Sequence, residues 1–298
     1  MSNASKPRST TSKRAEIYAA DVADAGAVEA AAAHFERELG AIDVWVNNAM
    51  TSVFSPAKEM RAEEYRRVTE VTYLGYVYGT LAALRRMLPR DAGAIVQVGS
   101  ALAYRGIPLQ SAYSAAKHAV QGFTESVRSE LYHDGSGVWI TMVQLAAMNT
   151  PQFAWVKSRL PRKAQPVPPI YQPEVAARAI VFAATHRRRE VVAGGAASRA
   201  ILADRVMPGV LDHLLARHGC DAQQHDGPED PGRPHNLWHP VPGDYAARGA
   251  FSDRAKDRSA LLWLEMHRNG IAAGAGAVAA AALASSAARA LAQRGDGS

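Results

Sequence analysis

Residues 95–131 read IVQVGSALAYRGIPLQSAYSAAKHAVQGFTESVRSEL, and this stretch decides the fold. Its apolar start predicts a buried strand that ends just before Ser100, and the segment 110–132 predicts a helix. Tyr113 and Lys117 are four residues apart, a spacing that puts both side chains on one face of that helix. The stretch therefore predicts a strand and a helix with three chemically active side chains where they meet.

The three side chains suit proton transfer. An ammonium group beside a phenol stabilises the phenolate, so Lys117 is expected to lower the pKa of Tyr113 from about 10. Tyr113 could then donate or accept a proton near neutrality. Ser100 follows the carboxyl end of a strand, where open α/β sheets bind ligands, and could hydrogen-bond a substrate oxygen. A tyrosine and a lysine at this spacing can also be a simple packed pair whose amine reaches solvent.

Strand-like and helix-like segments alternate along most of the chain. This order predicts an α/β fold with a doubly wound parallel sheet and helices on both of its faces. The predicted strands are 15–20, 42–46, 94–98, 138–143 and 190–193, and the predicted helices are 24–39, 62–88, 110–132, 174–186 and 197–217.

The quoted stretch resembles the short-chain dehydrogenase/reductase family, in which a serine and a later Y-x-x-x-K motif are catalytic. The resemblance runs from about residue 15 to residue 193 and implies a Rossmann-like fold and an oxidoreductase that interconverts an alcohol and a carbonyl compound. It implies that Tyr113 is the general acid/base and that Ser100 positions the substrate oxygen. Lys117 would tune Tyr113 and bind the nicotinamide ribose.

Further segments are similar to the family's cofactor-binding segments, and the implied cofactor is NAD or NADP. The sequence VNNAM at 46–50 resembles the family's N-N-A-G. Besides Tyr113 and Lys117, the resemblance assigns cofactor binding to Asp21, Val22, Asn48, Ala49 and Thr150.

Two single positions depart from the family pattern. Thr72 stands where the family has an asparagine that takes part in a proton relay, although a hydroxyl could still hold a water molecule. Met50 stands where the family has a glycine against which the cofactor packs.

The front of the chain departs more strongly. The family opens with a strand, the loop T-G-x-x-x-G-x-G, a helix and a second strand, whereas only 20 residues precede Asp21 here. That loop brings backbone N–H groups to the pyrophosphate, so we expect weak dinucleotide binding. The sheet is expected to be incomplete in its N-terminal half, with residues 15–20 paired to residues 42–46 in the place of the missing first strand.

The remaining segments suggest appendages on one principal domain. The expected organisation is a disordered leader at 1–14, a truncated Rossmann-like domain at 15–195, a C-terminal extension at 196–268 packed on it, and an Ala-rich helix and tail at 269–298. The Ala-rich segment is more typical of a peripheral or dimer-packing helix than of a membrane span, because alanine contributes little to insertion.

Composition excludes several classes of function. The net charge of +6 is scattered, so no nucleic-acid-binding stripe is predicted. Cys220 is the only cysteine, which favours a reducing cytoplasm. His235 and His239 have metal-ligand spacing, but Pro234 and Pro240 bracket the pair, so no metal site is expected.

The sequence leaves two functions open. The first is the oxidoreductase, acting on a small-molecule substrate as a homo-oligomer that pairs through the helices at 62–88 and 110–132. The second is a truncated, catalytically impaired homologue that serves as a binding or assembly module, or an active enzyme whose true start lies upstream.

Overall fold

The computed structural model describes residues 15–243, 245–271, 273, 274 and 276. Its helices include α1 (Ala25–Leu39), α2 (Ala62–Thr69), α3 (Gly75–Met87), α4 (Ser111–His133), α5 (Gln152–Trp155), α6 (Pro173–Thr185), α7 (Gly195–Val206) and α8 (Pro208–His218). Its strands are β1 (Val44–Asn47), β2 (Val53–Phe54), β3 (Ala94–Val98), β4 (Trp139–Leu145), β5 (Lys157–Ser158), β6 (Arg162–Ala164), β7 (Glu190–Ala193) and β8 (Gln224–Pro228).

The central sheet has four parallel strands in the order β1-β3-β4-β7. Successive side chains of a strand point to opposite faces, so Ile95 packs against α3 and α4 whereas Val96 packs against α6. Helices cover both faces, and the predicted α/β class with a Rossmann-like parallel sheet is confirmed. The carboxyl ends of the four strands share one edge of this sheet.

The predicted strand at 15–20 is wrong. These residues are irregular, Ile17 is 93% exposed, and the ring of Tyr18 lies 5.1 Å from that of His34 on α1. The segment offers only two large apolar side chains, and one of them packs on α1 instead of on the sheet. Among the described residues, no strand pairs with the outer edge of β1.

Two predicted helices have a different form in the structure. The helix expected at 62–88 contains a π-helical segment, Glu70–Leu74, between α2 and α3. The helix expected at 197–217 is two helices, because Pro208 has no N–H to continue the first of them and instead begins α8.

The C-terminal extension returns to the main domain. β8 pairs antiparallel with β6, and Leu262 is buried in the cluster formed by α6 and the sheet. The leader at 1–14 and most of the Ala-rich segment at 269–298 lie outside the described residues. In the part of the chain that the structure describes, no helix has the length and apolar character needed to cross a bilayer.

Candidate active site

Ser100 lies where β3 leaves the sheet. Gly99 donates its N–H to the Val143 carbonyl, and a Cβ at Gly99 would lie 2.4 Å from Oε1 of Gln144, so a side chain at this position would displace Gln144. Ser100 is then 9% exposed, and its hydroxyl accepts a hydrogen bond of 3.2 Å from the N–H of Leu102. The strand thus presents a fixed hydroxyl at the carboxyl edge of the sheet.

Tyr113 and Lys117 lie one turn apart near the start of α4. The Lys117 amine is 5.6 Å from the centre of the Tyr113 ring, and the Tyr113 hydroxyl is hydrogen-bonded to Ser100. The side chain of Lys117 is buried and does not extend into solvent. The structure therefore brings together the three residues that the sequence selected.

Lys117 has partners that the sequence did not indicate. Its amine donates to the hydroxyl of Tyr76 at 2.9 Å and to the Val98 carbonyl at 2.7 Å. Tyr76 is 1% exposed, and its hydroxyl donates to the same Val98 carbonyl. Tyr76 is the second residue of α3, and its neighbours in sequence are typical of a buried helix. The sequence therefore contains no signal that distinguishes it from an ordinary core tyrosine.

The expected lowering of the tyrosine pKa is not found. Burial raises the pKa of Tyr113 to about 12, and its hydrogen bond with Ser100 opposes this only in part. Burial lowers the pKa of Lys117 to about 7, because the described residues around it provide neutral acceptors and no carboxylate. Lys117 is therefore a much weaker source of positive charge than its spacing from Tyr113 suggests.

The hydroxyl of Thr72, at the position of the family's asparagine, is hydrogen-bonded to the backbone. Its hydroxyl accepts from the N–H of Thr51 at 3.0 Å and donates to the carbonyl of Thr51 at 2.8 Å. Both bonds fix the backbone after β1. Thr72 thus acts as a clamp on this loop.

Three of the expected cofactor residues line one small cavity beside β1. Val22, Asn48 and Ala49 enclose it together with Tyr76, and its volume is about 100 Å³. Asn48 and Ala49 are exposed at the carboxyl end of β1. They therefore face the side of the sheet from which a ligand would approach.

Asp21 is already engaged by another side chain. Burial acts to raise its pKa, but hydrogen bonds from the Ala23 N–H and Arg67 lower it overall. Arg67 lies 2.8 Å from its carboxylate. Binding an adenine through Asp21 would have to compete with this ion pair.

Thr150 lies five residues beyond the end of β4, on the same edge of the sheet as Ser100. The C-terminal extension covers this region: a Cβ at Gly249 would lie 2.5 Å from the Thr150 carbonyl oxygen. The Phe251 N–H donates to the Asn149 side chain at 3.0 Å, and the Phe251 ring is 5.8 Å from that of Phe153. The extension thus supplies an aromatic wall beside the site.

Asn47, and not only its neighbour Asn48, has a defined role. Asn47 is 7% exposed and donates to the side chains of Thr80 and Gln97 at 3.1 and 2.8 Å. Its side chain ties β1 to α3 and β3 through a buried polar network. The N-N pair in the sequence thus combines one structural asparagine with one exposed asparagine.

Among the described residues, no group of three or more His, Cys, Asp or Glu side chains is arranged to hold a metal ion. His235 and the other histidines of the C-terminal extension carry no metal-ligand geometry there.

Comparison with known proteins gives the family. The short chain dehydrogenase family model matches residues 2–160, more than half of the chain. The chain therefore belongs to the short-chain dehydrogenase/reductase family, a family of oxidoreductases that use NAD or NADP.

Several relatives and a solved structure support the same conclusion. The chain is 34% identical over 194 residues to "Uncharacterized oxidoreductase YxnA" of Bacillus subtilis. This match covers 64% of this chain and 54% of that protein. It is 39% identical over 124 residues to "Inactive 2-(S)-hydroxypropyl-CoM dehydrogenase 2" of Xanthobacter autotrophicus, covering 42% of this chain and 53% of that protein. The chain spans about half the length of these two relatives.

The fold is similar to that of a short chain dehydrogenase from Burkholderia cenocepacia solved in complex with NADP. The TM-score is 0.55 at 25% identity, and the match covers 66% of this chain and 76% of that one.

The residues present fit the ribose and nicotinamide end of such a cofactor. A lysine ammonium has three N–H donors, and the described residues accept from Lys117 at two positions, which leaves one for a ribose hydroxyl. The fit does not extend to the pyrophosphate. Among the described residues, no strand-to-helix glycine loop lies along the outer edge of β1.

Proposed function

We propose that this chain is an oxidoreductase that interconverts an alcohol and a carbonyl compound with NAD or NADP. The observation that carries the proposal is the meeting of Ser100, Tyr113 and Lys117 at one edge of the sheet, with Tyr113 hydrogen-bonded to Ser100. A nicotinamide ring, when bound, supplies the hydride donor or acceptor.

The protein's own residues handle the oxygen and its proton. In the oxidation direction, the substrate hydroxyl gives its proton to the phenolate form of Tyr113 while its carbon gives up a hydride. In the reduction direction, Tyr113 returns a proton to the carbonyl oxygen. Ser100 holds that oxygen by a hydrogen bond, and its own position is fixed by Gly99 and by the N–H of Leu102.

Lys117 holds the cofactor's ribose and adds positive charge near Tyr113. A pKa of about 7 for Lys117 means that a bound anion, or the charge of the reacting groups, would favour its protonated form. Asn48 and Ala49 border the cofactor beside β1, and Thr150 contacts its carboxamide. We assign Asp21 and Val22 to the adenine end.

The substrate is a small molecule with an apolar portion. The rings of Phe153 and Phe251 meet at 5.8 Å beside Thr150, and Phe54 lies 6.1 Å from Phe153. These rings favour an aliphatic or aromatic carbonyl compound over a strongly polar one.

The experiment is turnover of NADH and NADPH by the purified protein with a panel of aliphatic and aromatic ketones and aldehydes. Ser100→Ala should lower kcat/KM by roughly a hundredfold, since a transition-state hydrogen bond is lost. Ser126→Ala is the matched control, because Ser126 is an exposed serine of α4 whose hydroxyl contacts only Glu130 in the described structure. Equal activity of the two variants would contradict the proposal.

The unpaired edge of β1 favours a second candidate function. Val44 and Val46 are 43% and 40% exposed on a strand whose outer backbone groups have no described strand partner. Such an edge can accept a strand from another chain, which would make the protein a catalytically impaired binding or assembly module. Absence of turnover with either cofactor, together with a stable complex in which β1 is protected from hydrogen exchange, would favour this function.

We also propose a cytoplasmic homo-oligomer. The two helices expected to pair expose large side chains with apolar surface. These are Leu81 on α3, Leu88 directly after α3, and Tyr132 on α4. Light scattering should give a mass of two or four chains, and a monomer at all concentrations would count against it.

A further inference from the structure

A cleft lined by arginines lies at the amino ends of the central strands, whereas the candidate active site lies at their carboxyl ends. It has a volume of about 280 Å³ and is bordered by the end of α4, the start of β4 and the loop before β7. Ser100 follows the carboxyl end of β3, whereas this cleft contacts Trp139 and Ile140 at the amino end of β4. The two sites are therefore separate.

The cleft has a strong excess of positive charge. Its described lining contains four arginines and no aspartate or glutamate: Arg128, Arg187, Arg188 and Arg189. Just outside the lining, the carboxylate of Glu125 pairs with Arg189 at 2.8 Å, and Glu190 also acts on Arg128. The other three arginines form no ion pair with a described carboxylate.

Arg128 is the unusual member of this group. It is 6% exposed, and its described hydrogen bonds go only to backbone: Nε to the Ile140 carbonyl at 3.3 Å and Nη2 to the Arg189 carbonyl at 3.0 Å. Burial lowers the pKa of Arg128 and the positive charge of Arg189 lowers it further, while Tyr132, Glu125 and Glu190 oppose this only in part. A buried guanidinium without a carboxylate is costly, and an anion in the cleft would offset that cost.

The two flanking arginines are held in place by the fold. Arg187 donates to the Gly137 carbonyl at 2.6 Å, and its guanidinium lies 5.1 Å from the centre of the Trp139 ring. Arg189 is fixed by Glu125. Two exposed guanidinium groups thus stand at the mouth of a cleft that has a buried guanidinium inside it.

We propose that this cleft binds the phosphate group of a phosphorylated compound through Arg128, Arg187 and Arg189. Guanidinium groups donate two parallel hydrogen bonds to phosphate oxygens, and several of them together match a doubly charged group. The proposal does not depend on the oxidoreductase function, because none of these residues belongs to the candidate active site.

The experiment is calorimetric titration of the full chain with inorganic pyrophosphate. The test variant is Arg187→Gln/Arg189→Gln, which leaves the buried Arg128 in place and so avoids disturbing the core. The control is Arg66→Gln/Arg217→Gln, which removes the same net charge at exposed positions outside the cleft. Thermal melting of all three proteins checks that they are folded.

We expect saturable binding that weakens roughly tenfold or more in the cleft variant and stays close to wild type in the control. Arg187→Lys/Arg189→Lys should give an intermediate loss, because lysine keeps the charge but not the paired donors. Equal weakening in the cleft and control variants, or no saturable binding by the wild-type protein, would overturn the proposal.

A second arm separates a soluble source of phosphate from a lipid headgroup. The same proteins are mixed with phosphatidylglycerol vesicles and floated on a density gradient. If the cleft variant loses pyrophosphate binding but floats with vesicles to the same extent as the wild-type protein, the cleft binds a soluble phosphorylated compound. Cleft-dependent flotation would instead assign the same phosphate chemistry to a lipid headgroup.

Discussion

β3 and β1 are neighbouring parallel strands of one sheet, yet their surroundings differ sharply. All five residues of β3 are buried, whereas Val44 and Val46 of β1 are 43% and 40% exposed. β3 leads into Ser100 and the start of α4, where the candidate catalytic residues meet. β1 leads to Asn48 and Ala49, beside an edge that no described strand covers. In the described part of the chain, the catalytic candidates thus follow a strand with neighbours on both sides, whereas Asn48 and Ala49 follow a strand with a described neighbour on one side only.

The largest expected effect tests the chemical half. Tyr113→Phe should lower kcat by roughly a hundredfold to ten-thousandfold while cofactor binding changes little, because only proton transfer is lost. Tyr132→Phe is the control, since Tyr132 is on the same helix and 72% exposed. Steady-state kinetics at high cofactor concentration make the measurement. A wild-type kcat for the Tyr113→Phe variant would show that Tyr113 is not the general acid/base.

The next effect compares the two strands directly. Ile95→Ala in β3 should reduce the free energy of unfolding by about 2–5 kcal/mol, because Ile95 is fully buried and its loss leaves a cavity. Val46→Ala in β1 should cost about 1 kcal/mol or less, because Val46 is partly exposed. Urea unfolding measures both. Similar losses for the two variants would mean that the edge of β1 is covered in solution.

A smaller effect concerns the protonation of Lys117. Its pKa in the folded protein, about 7, is below its unfolded value, so the unfolded chain binds more protons between these two values. Stability should therefore rise with pH above 7, by roughly 2 kcal/mol between pH 7 and pH 9 from this group alone. The pKa values of Tyr113 and Tyr76 are raised, so these groups act in the opposite sense only above about pH 10.

Lys117→Met isolates that contribution. The wild-type protein should gain stability relative to the variant as pH rises from 7 to 9, whatever the absolute stability of the variant. Parallel stability curves for the two proteins would show that Lys117 is charged in the folded state at neutral pH. That result would restore the expectation that Lys117 lowers the pKa of Tyr113.

The sequence predicted the interior strands and the main helices well because their signals are local. The apolar run at 94–98 is typical of a strand whose side chains are buried on both faces of a sheet. Helix α1 begins after Asp24, because the Asp24 carboxylate accepts hydrogen bonds from the N–H groups of Gly26 and Ala27. The residues Ser100, Tyr113 and Lys117 could be selected because their spacing along the chain fixes their positions on one strand end and one helix face.

The errors arise where position depends on distant parts of the chain. Residues 15–20 form a short apolar run but have too little apolar surface to hold them at the sheet, and Tyr18 packs on α1 instead. Tyr76 reaches Lys117 only because α3 and α4 pack on the same face of the sheet, a contact between residues 41 positions apart. The pKa of Tyr113 depends on burial, which spacing does not show.

Among the described residues, the carboxyl ends of the strands bring Ser100, Tyr113 and Lys117 together, whereas no described strand pairs with the outer edge of β1. Titration of the protein with NADH and with NADPH, followed by nucleotide fluorescence, tests this difference most directly. We expect no saturation in the micromolar range for either nucleotide, because the described residues would hold the ribose through Lys117 but contribute no glycine loop at the pyrophosphate. Saturable micromolar binding of either nucleotide would contradict this expectation.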